Sequence, residues 1–116
     1  MRSIASFFPS AFTRPLLVLG LLTASHPGFA QTATWDGASA TTDDWTDGAN
    51  WGGSAPTAGD ILEFDGTSRL TPNNDFAAGT DFGGLDFLSG AGLFTLGGNS
   101  IDLSGDIDSA ATGTQT

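Results

Sequence analysis

The segment from Gln31 to the end of this 116-residue chain contains no Lys, His, Cys, Met or Tyr, and its one basic side chain is Arg69. A nucleophilic serine or threonine needs a neighbouring base, and a tetrahedral zinc site needs His or thiolate ligands. The usual hydrolase and zinc sites therefore cannot be assembled from this segment. The lack of cysteine also means that no disulfide stabilises it. Carboxylates, hydroxyls, amides, glycine and aromatic rings remain, and they favour a structural or binding role.

Enzymes that work with carboxylates alone are the exception to this exclusion. A glycosidase needs only two carboxylates in a cleft, one of them with a raised pKa. Lyases that act on acidic sugars generally need a basic residue as well, and Arg69 is the single candidate. We therefore expect no enzyme activity, no catalytic residue and no bound cofactor in this chain.

The first thirty residues have the layout of a secretory signal peptide. Arg2 and Arg14 precede an apolar run at 16–22, and small residues stand three and one positions before the expected cleavage between Ala30 and Gln31. A membrane anchor is the alternative, but the apolar run is far shorter than the roughly 20 residues that a bilayer span requires. We expect residues 1–30 to be removed and the remainder to be secreted.

The charge of the exported part is strongly acidic. All thirteen Asp and Glu residues follow the signal, so one arginine leaves a net charge of −12. Nucleic acids and anionic membranes bind through Lys and Arg, and this surface would repel them. We expect no nucleic-acid partner, and divalent cations are the natural counterions.

Two regions that differ in composition and hydrophobic pattern follow the signal. Residues 31–59 are rich in tryptophan, glycine and other turn formers, and we expect them to form a capping region. From residue 60 to 116, apolar residues return at period two in short bursts that glycine usually closes. No apolar stripe recurs at helical spacing with capping signals, so the exported part is predicted to be all-β.

An apolar–acid–apolar pattern recurs within residues 60–116. It occurs at Leu62-Glu63-Phe64, Leu85-Asp86-Phe87 and Ile101-Asp102-Leu103, with offsets of 23 and 16 residues. The spacing is close to the roughly 20 residues of a solenoid coil, whose inward residues stack on their counterparts one coil away. An antiparallel meander is the alternative, but a sandwich would need longer strands. We predict the start of a β-solenoid.

The last residues, 109–116, have the composition of a turn that leads into another strand. A repeat array needs a closing segment, because an uncapped end exposes apolar side chains and unpaired backbone. We therefore expect the solenoid to be truncated at its carboxy end and the chain to be the beginning of a longer protein. The alternative is a flexible tail on a complete small domain.

Several stretches taken together carry a family resemblance. They are Trp35-Asp36-Gly37, Trp45, Asn50-Trp51-Gly52-Gly53 with Pro56, Ile61-Leu62-Glu63-Phe64, and the run from Gly92 to Ile107. These stretches resemble the amino-terminal start and the repeat of proteins that bear autotransporter-associated β-strand repeats. The resemblance implies a right-handed parallel β-helix passenger that is secreted or displayed at the bacterial outer membrane or cell surface. In that family a carboxy-terminal translocating barrel or a short sorting anchor delivers the passenger, so membrane contact is expected only through the export machinery or such an anchor.

The three tryptophans allow two interpretations. Trp35, Trp45 and Trp51 lie in a segment with few other core-forming side chains, so they are expected to cover the first coil and protect its edge. In the functional alternative they form a carbohydrate-binding platform, because indole faces pack against sugar rings. Exposure distinguishes the two, since a sugar platform needs at least two open indoles.

Two acidic segments invite comparison with calcium loops. Counted from Asp43, the third and twelfth positions of the first segment are Trp45 and Ser54, so two ligand positions fail. The segment 97–102 approaches a glycine–aspartate calcium repeat, but Ser100 replaces a glycine. A solvated acidic face explains both segments, and calcium is the one metal that the sequence leaves open.

These observations predict an exported, non-catalytic passenger segment with a structural or adhesive role at the cell surface. Its expected partners are surface glycans or the surfaces of host or neighbouring cells. The alternative is a secreted carbohydrate-binding module that uses exposed tryptophans.

Overall fold

The structure is a computed structural model that describes residues 29–116. The predicted signal sequence lies outside the described residues except for its last two positions. The described part is all-β, with one short 3-10 helix at Gly48–Trp51. Its strands are β1 (Thr32–Trp35), β2 (Ile61–Phe64), β3 (Asn73–Asn74), β4 (Thr80–Phe82), β5 (Gly84–Phe87), β6 (Gly97–Gly98), β7 (Ile101–Leu103) and β8 (Ile107–Ser109).

The strands pair in parallel to form three sheets. The largest has the order β1-β2-β5-β8, and the other two pair β3 with β6 and β4 with β7. Parallel neighbours need a long connection, and here the β2–β5 and β5–β8 connections each carry one strand of each of the other two sheets, whereas the β1–β2 connection carries the 3-10 helix. The alternative of an antiparallel meander is therefore wrong.

The register aligns the first two recurring motifs and corrects the third. Leu62 pairs with Leu85 and Phe64 with Phe87, as the motif spacing predicts. The next residue in the Leu62–Leu85 row is Ile107, whereas Ile101 lies in another sheet and pairs with Thr80. The prediction that the 101–103 motif continues the row is wrong, because partners on β2, β5 and β8 are 23 and 22 residues apart and an offset of 16 residues is too short to reach the next strand.

An aromatic cluster fills the space between the sheets. Phe64 is fully buried, and its ring lies within 6.2 Å, centroid to centroid, of five other aromatic rings. Those rings belong to Trp35, Trp45, Trp51, Phe87 and Phe94. β1, β2 and β5 each contribute one of these six rings, and the other three come from the 3-10 helix and the loops, so sparse apolar bursts are enough to build the core.

The first turn of the chain is held by a short helix and a buried amide. Asp47 caps the helix by accepting a hydrogen bond from the Ala49 backbone N–H at 3.0 Å, and Gly52 ends it in a left-handed conformation at φ 73°. The fully buried Asn50 side chain donates to the Thr42 and Asp44 carbonyls and accepts from the Ser39 N–H. These bonds tie the helix to the loop before it.

Glycine residues form the tight corners at which the chain passes from one sheet to the next. Gly83 lies between β4 and β5, and Gly105 lies between β7 and β8, one circuit further along the chain. A Cβ atom on Gly105 would collide with the Gly83 carbonyl oxygen, and one on Gly83 would lie 2.7 Å from the carbonyl oxygen of Gly59. Only glycine lets the backbone stack this closely.

Candidate functional site

The three tryptophans proposed as a sugar platform are core residues. Trp35, Trp45 and Trp51 have exposed fractions of 0%, 1% and 6%. Trp51 meets both of the others edge to face, at centroid distances of 5.1 Å and 6.1 Å. The alternative interpretation as an exposed carbohydrate-binding face is wrong, and the burial of all three rings agrees with the expectation that they pack in the interior of the first segment.

The polar atoms of these rings also face inward. Trp51 donates its indole N–H to the Trp45 carbonyl at 2.9 Å. The buried indole N–H groups of Trp35 and Trp45 have no hydrogen-bond acceptor among the described residues. None of the three rings is placed to present both a face and a donor to a sugar.

Arg69 is fixed in a bend of the backbone. Its guanidinium forms an ion pair with Asp43 and donates through Nε to the Ser39 carbonyl at 2.8 Å. Arg69 itself has φ 48°, which is unusual for a residue other than glycine. The positive charge is thus used to hold the first turn against the second.

The acids of the first candidate calcium segment are engaged in local hydrogen bonds. The Asn73 amide, and to a lesser extent Thr42, lowers the pKa of Asp44. The Ser39 hydroxyl and then the Ala49 N–H lower the pKa of Asp47. Both carboxylates therefore act as acceptors that organise the loop.

The second candidate calcium segment is part of the sheets. Gly97 and Gly98 form β6, the Asn99 amide donates to the Phe76 carbonyl at 2.8 Å, and Asp102 pairs with Asp81 across β7 and β4. Within residues 29–116, no three acidic groups come together in a way that could hold a metal ion.

Three carboxylates line up on the outer face of the largest sheet. Glu63, Asp86 and Asp108 occupy matching positions on β2, β5 and β8. Thr34, the matching residue on β1, donates its hydroxyl to Glu63 at 2.9 Å. Burial, then Asp108 and then Glu63, raise the pKa of Asp86. Sequence analysis found the Glu63–Asp86 pairing as a repeated motif but missed Asp108, because Ser109 replaces the large residue that completes the motif.

A groove runs beside the free edge of β1. Its volume is about 550 Å³, and its walls are β1, with Thr32 and Thr34, and the segment that contains Ala55 and Pro56. Asp36 and Asp60 lie at its lining, together with Gln31, Ala33, Trp51, Gly52, Ser54 and Thr57. No backbone hydrogen bond joins β1 to residues 52–57 in the described structure. Sequence analysis did not predict this groove, because the residues of its two walls are separated along the sequence by the 3-10 helix and its loops.

The residues at the expected signal cleavage point lie at the start of this edge. Ala30 and Gln31 are exposed. Gln31 is already tied to the next turn, since its carbonyl accepts from the Ile61 N–H at 2.7 Å and its N–H donates to Asp60 at 3.3 Å. The first described strand, β1, thus starts at Thr32, one residue after Gln31.

No family model, curated protein or solved structure matches this chain. Among residues 29–116 the structure contains no helix with the length and apolar character needed to span a membrane. The features of the described residues 29–116 that bear on function are of three kinds. They are a packed aromatic interior, an acidic outer row and an unpaired sheet edge beside a groove.

Proposed function

We propose that residues 31–116 form the capped beginning of a right-handed parallel β-helix that serves as an exported, non-catalytic structural segment at the cell surface. The observation that carries this proposal is the in-register stacking of β1, β2, β5 and β8 in one parallel sheet. Partners in successive strands are 29, 23 and 22 residues apart, which is about the length of one circuit in a solenoid.

The other two sheets support the same circuit. Between β2 and β5 the chain passes through β3 and β4, and between β5 and β8 it passes through β6 and β7. Each of these strands pairs with its counterpart from the neighbouring circuit. Three parallel sheets visited in the same order are typical of a β-helix. The sequence resemblance to autotransporter-associated β-strand repeats agrees with this architecture.

Disulfide trapping tests the proposed register, because the chain contains no cysteine of its own. Cysteines at matching positions of adjacent strands lie within the Cα separation that a disulfide accepts, roughly 4.4–6.8 Å. The pair Asp86→Cys and Asp108→Cys should crosslink on mild oxidation. The pair Asp86→Cys and Asp102→Cys is the matched control, because the motif spacing aligns these two residues and the proposed coil does not. Crosslinking of the control pair in preference to the first would reject the coil.

A structural role follows from the chemistry of the exported part. Its net charge of −12 keeps a rod soluble and discourages lateral association with other copies. Arg69 is committed to its ion pair with Asp43, and the large aromatic rings are committed to the interior. Rigidity comes from backbone hydrogen bonds between circuits, and no step of this role requires a reacting side chain.

Cell fractionation tests the location and the processing. We expect the protein to be accessible to added protease on intact cells, or released into the medium, with Gln31 as its first residue. Replacement of residues 16–22 by a polar sequence should retain the full-length chain inside the cell. A wild-type chain that stays in the cytoplasm with residues 1–30 attached would reject the export proposal.

A further inference from the structure

We propose that the groove beside β1 binds an extended, basic polypeptide segment, which adds to the sheet as a parallel strand next to β1. This proposal goes beyond the structural role, and it does not depend on where the protein is located. It rests on the backbone direction of β1, the lining of the groove and its charge.

The backbone of β1 has one side free for pairing. In a parallel ladder, the N–H and C=O groups of one residue point to the same neighbour, and those of the next residue point to the opposite side. The Gln31 carbonyl accepts from the Ile61 N–H, so Gln31, Ala33 and Trp35 face β2. The N–H and C=O groups of Thr32 and Thr34 therefore point into the groove.

Such an edge is a template for another strand, and main-chain hydrogen bonds supply affinity when a peptide is added to it. The opposite edge of the same sheet, at β8, carries exposed residues throughout and is not flanked by the groove. The groove beside β1 gives an added strand a second wall, formed by Ala55 and Pro56.

The lining also specifies the side chains of the occupant. Ala33 and Trp51 form the apolar part of the lining near β1, so small or β-branched residues fit on the inward side of the added strand. On the outward side the strand would lie next to Thr34, whose hydroxyl already donates to Glu63. Alternating apolar and polar residues meet both requirements.

The charge of the groove favours lysine or arginine at the polar positions. Asp36 and Asp60 are the charged side chains in its lining, and no basic residue lines it. Glu63 lies just beyond Thr34 and begins the acidic row. A second copy of the chain is disfavoured as the occupant, because its free edge at β8 contributes Asp108 and would bring like charges together.

Binding of designed peptides tests the proposal with the purified full chain. The probe is a fluorescein-labelled octapeptide of alternating lysine and valine, and a glutamate–valine octapeptide is the charge control. Fluorescence anisotropy should show binding of the first and none of the second.

Backbone methylation separates strand addition from adsorption by charge. In a parallel added strand the inward valines turn their N–H groups towards β1, whereas the lysine N–H groups point away. Methylation of the valine nitrogens should weaken binding at least tenfold. Methylation of the backbone nitrogens of the lysines leaves the side-chain charges and the paired edge of the peptide intact. It should change the affinity less than threefold. Any other ranking of the two peptides overturns the proposal.

A proline on the free edge provides the matched test in the protein. Thr32→Pro removes an N–H that points into the groove and keeps the bonds to β2, and proline is tolerated on such an edge. It should weaken binding of the lysine–valine peptide at least tenfold. Ser109→Pro is the control, because the Ser109 N–H faces the free edge of β8. The Ser109→Pro variant should bind the lysine–valine peptide with the same affinity as the wild type.

Three further results would overturn the proposal. The first is absence of binding by the lysine–valine peptide. The second is binding that survives Thr32→Pro and disappears in about 1 M sodium chloride, where charges are screened beyond roughly 3 Å, because it indicates adsorption by charge alone. The third is self-association in sedimentation velocity that Thr32→Pro abolishes, because the occupant would then be a second copy.

Discussion

Phe64 and Phe87 stack with their ring centroids 5.3 Å apart and their planes inclined by 23°. The two residues are register partners on β2 and β5, so the stacking follows directly from the parallel pairing. Because Phe64 also meets all three tryptophans, it joins the first circuit of the chain to the second. The packing of this ring adds a side-chain link to the backbone pairing between β1 and β2.

Replacement of Phe64 by alanine should therefore be severely destabilising. We expect the free energy of unfolding to fall by about 3–5 kcal/mol, the usual cost of truncating a buried phenylalanine. Urea titration monitored by tryptophan fluorescence measures this change, since three tryptophans report on the same cluster. The control is Leu93→Ala at a residue with an exposed fraction of 63%, which should change stability by less than about 0.5 kcal/mol.

Asp86 should destabilise the folded protein at neutral pH. Its folded-state pKa is raised, first by burial and then by Asp108 and Glu63, whereas the unfolded chain keeps the ordinary value of 3.8. The unfolded state therefore releases its proton first as the pH rises, and the penalty is complete above the folded-state pKa. Asp86→Asn should stabilise the protein at pH 7 by about 0.5 kcal/mol, the scale of a cross-strand pair.

The measurement is urea unfolding at several pH values. The gain from Asp86→Asn should vanish below the ordinary aspartate pKa, where the carboxyl group is protonated in both states. Asp106→Asn is the control, because Asp106 is exposed and is not among the groups that raise the Asp86 pKa. An equal gain from both substitutions would point to the net charge of the protein instead of the acidic row.

Asp47 should show the opposite pH dependence. Hydrogen bonds from the Ser39 hydroxyl at 2.6 Å and the Ala49 N–H at 3.0 Å lower its pKa, so its contribution is present above the unfolded-state pKa and is lost as the pH falls through the folded-state value. Asp47→Ala should lower the urea midpoint at pH 7 and have a much smaller effect in acid. Asp47→Asn keeps the helix cap, so its cost should be smaller than that of Asp47→Ala at every pH, and it should also decline as the pH falls, because both substitutions remove the same titrating carboxyl group.

Gly105 should not tolerate a side chain. An added Cβ would collide with the Gly83 carbonyl oxygen, which is a backbone atom of the neighbouring circuit and cannot rotate away. We expect Gly105→Ala to cost about 2 kcal/mol, within the range for overpacked sites. Gly97→Ala is the matched control, because its Cβ would find its nearest neighbour, the Pro72 carbonyl oxygen, at 3.9 Å. Equal denaturation midpoints for the two variants would contradict the stacked corner.

Sequence reasoning predicted the strand content because period-two patterns report directly on side-chain alternation. It aligned Leu62 with Leu85 because both belong to the same motif at a full circuit's spacing. It placed Ile101 in the wrong sheet, since a short apolar burst does not say which of three faces it lies on. Ile107 continues the Leu62–Leu85 row but has an exposed fraction of 61%. Its strand therefore shows little of the alternation between buried apolar and exposed polar residues from which a strand is predicted.

The candidate sites were harder to predict than the strands. Composition favoured an inward position for Trp35, Trp45 and Trp51 but left the sugar platform open, because a tryptophan can serve in either setting. Their burial depends on Phe64, which comes from the next circuit, and on contacts that no local pattern encodes. The groove beside β1 depends in the same way on how residues 52–57 return towards the strand.

The bare corner formed by Gly59, Gly83 and Gly105 has a consequence for tracing distant relatives. An apolar core position can accept several residue types. At Gly83 and Gly105, however, a backbone carbonyl oxygen packs against the alpha carbon, so only a residue without a Cβ atom fits. A search keyed to a glycine recurring every 22 to 24 positions should detect related coils that hydrophobic patterns overlook.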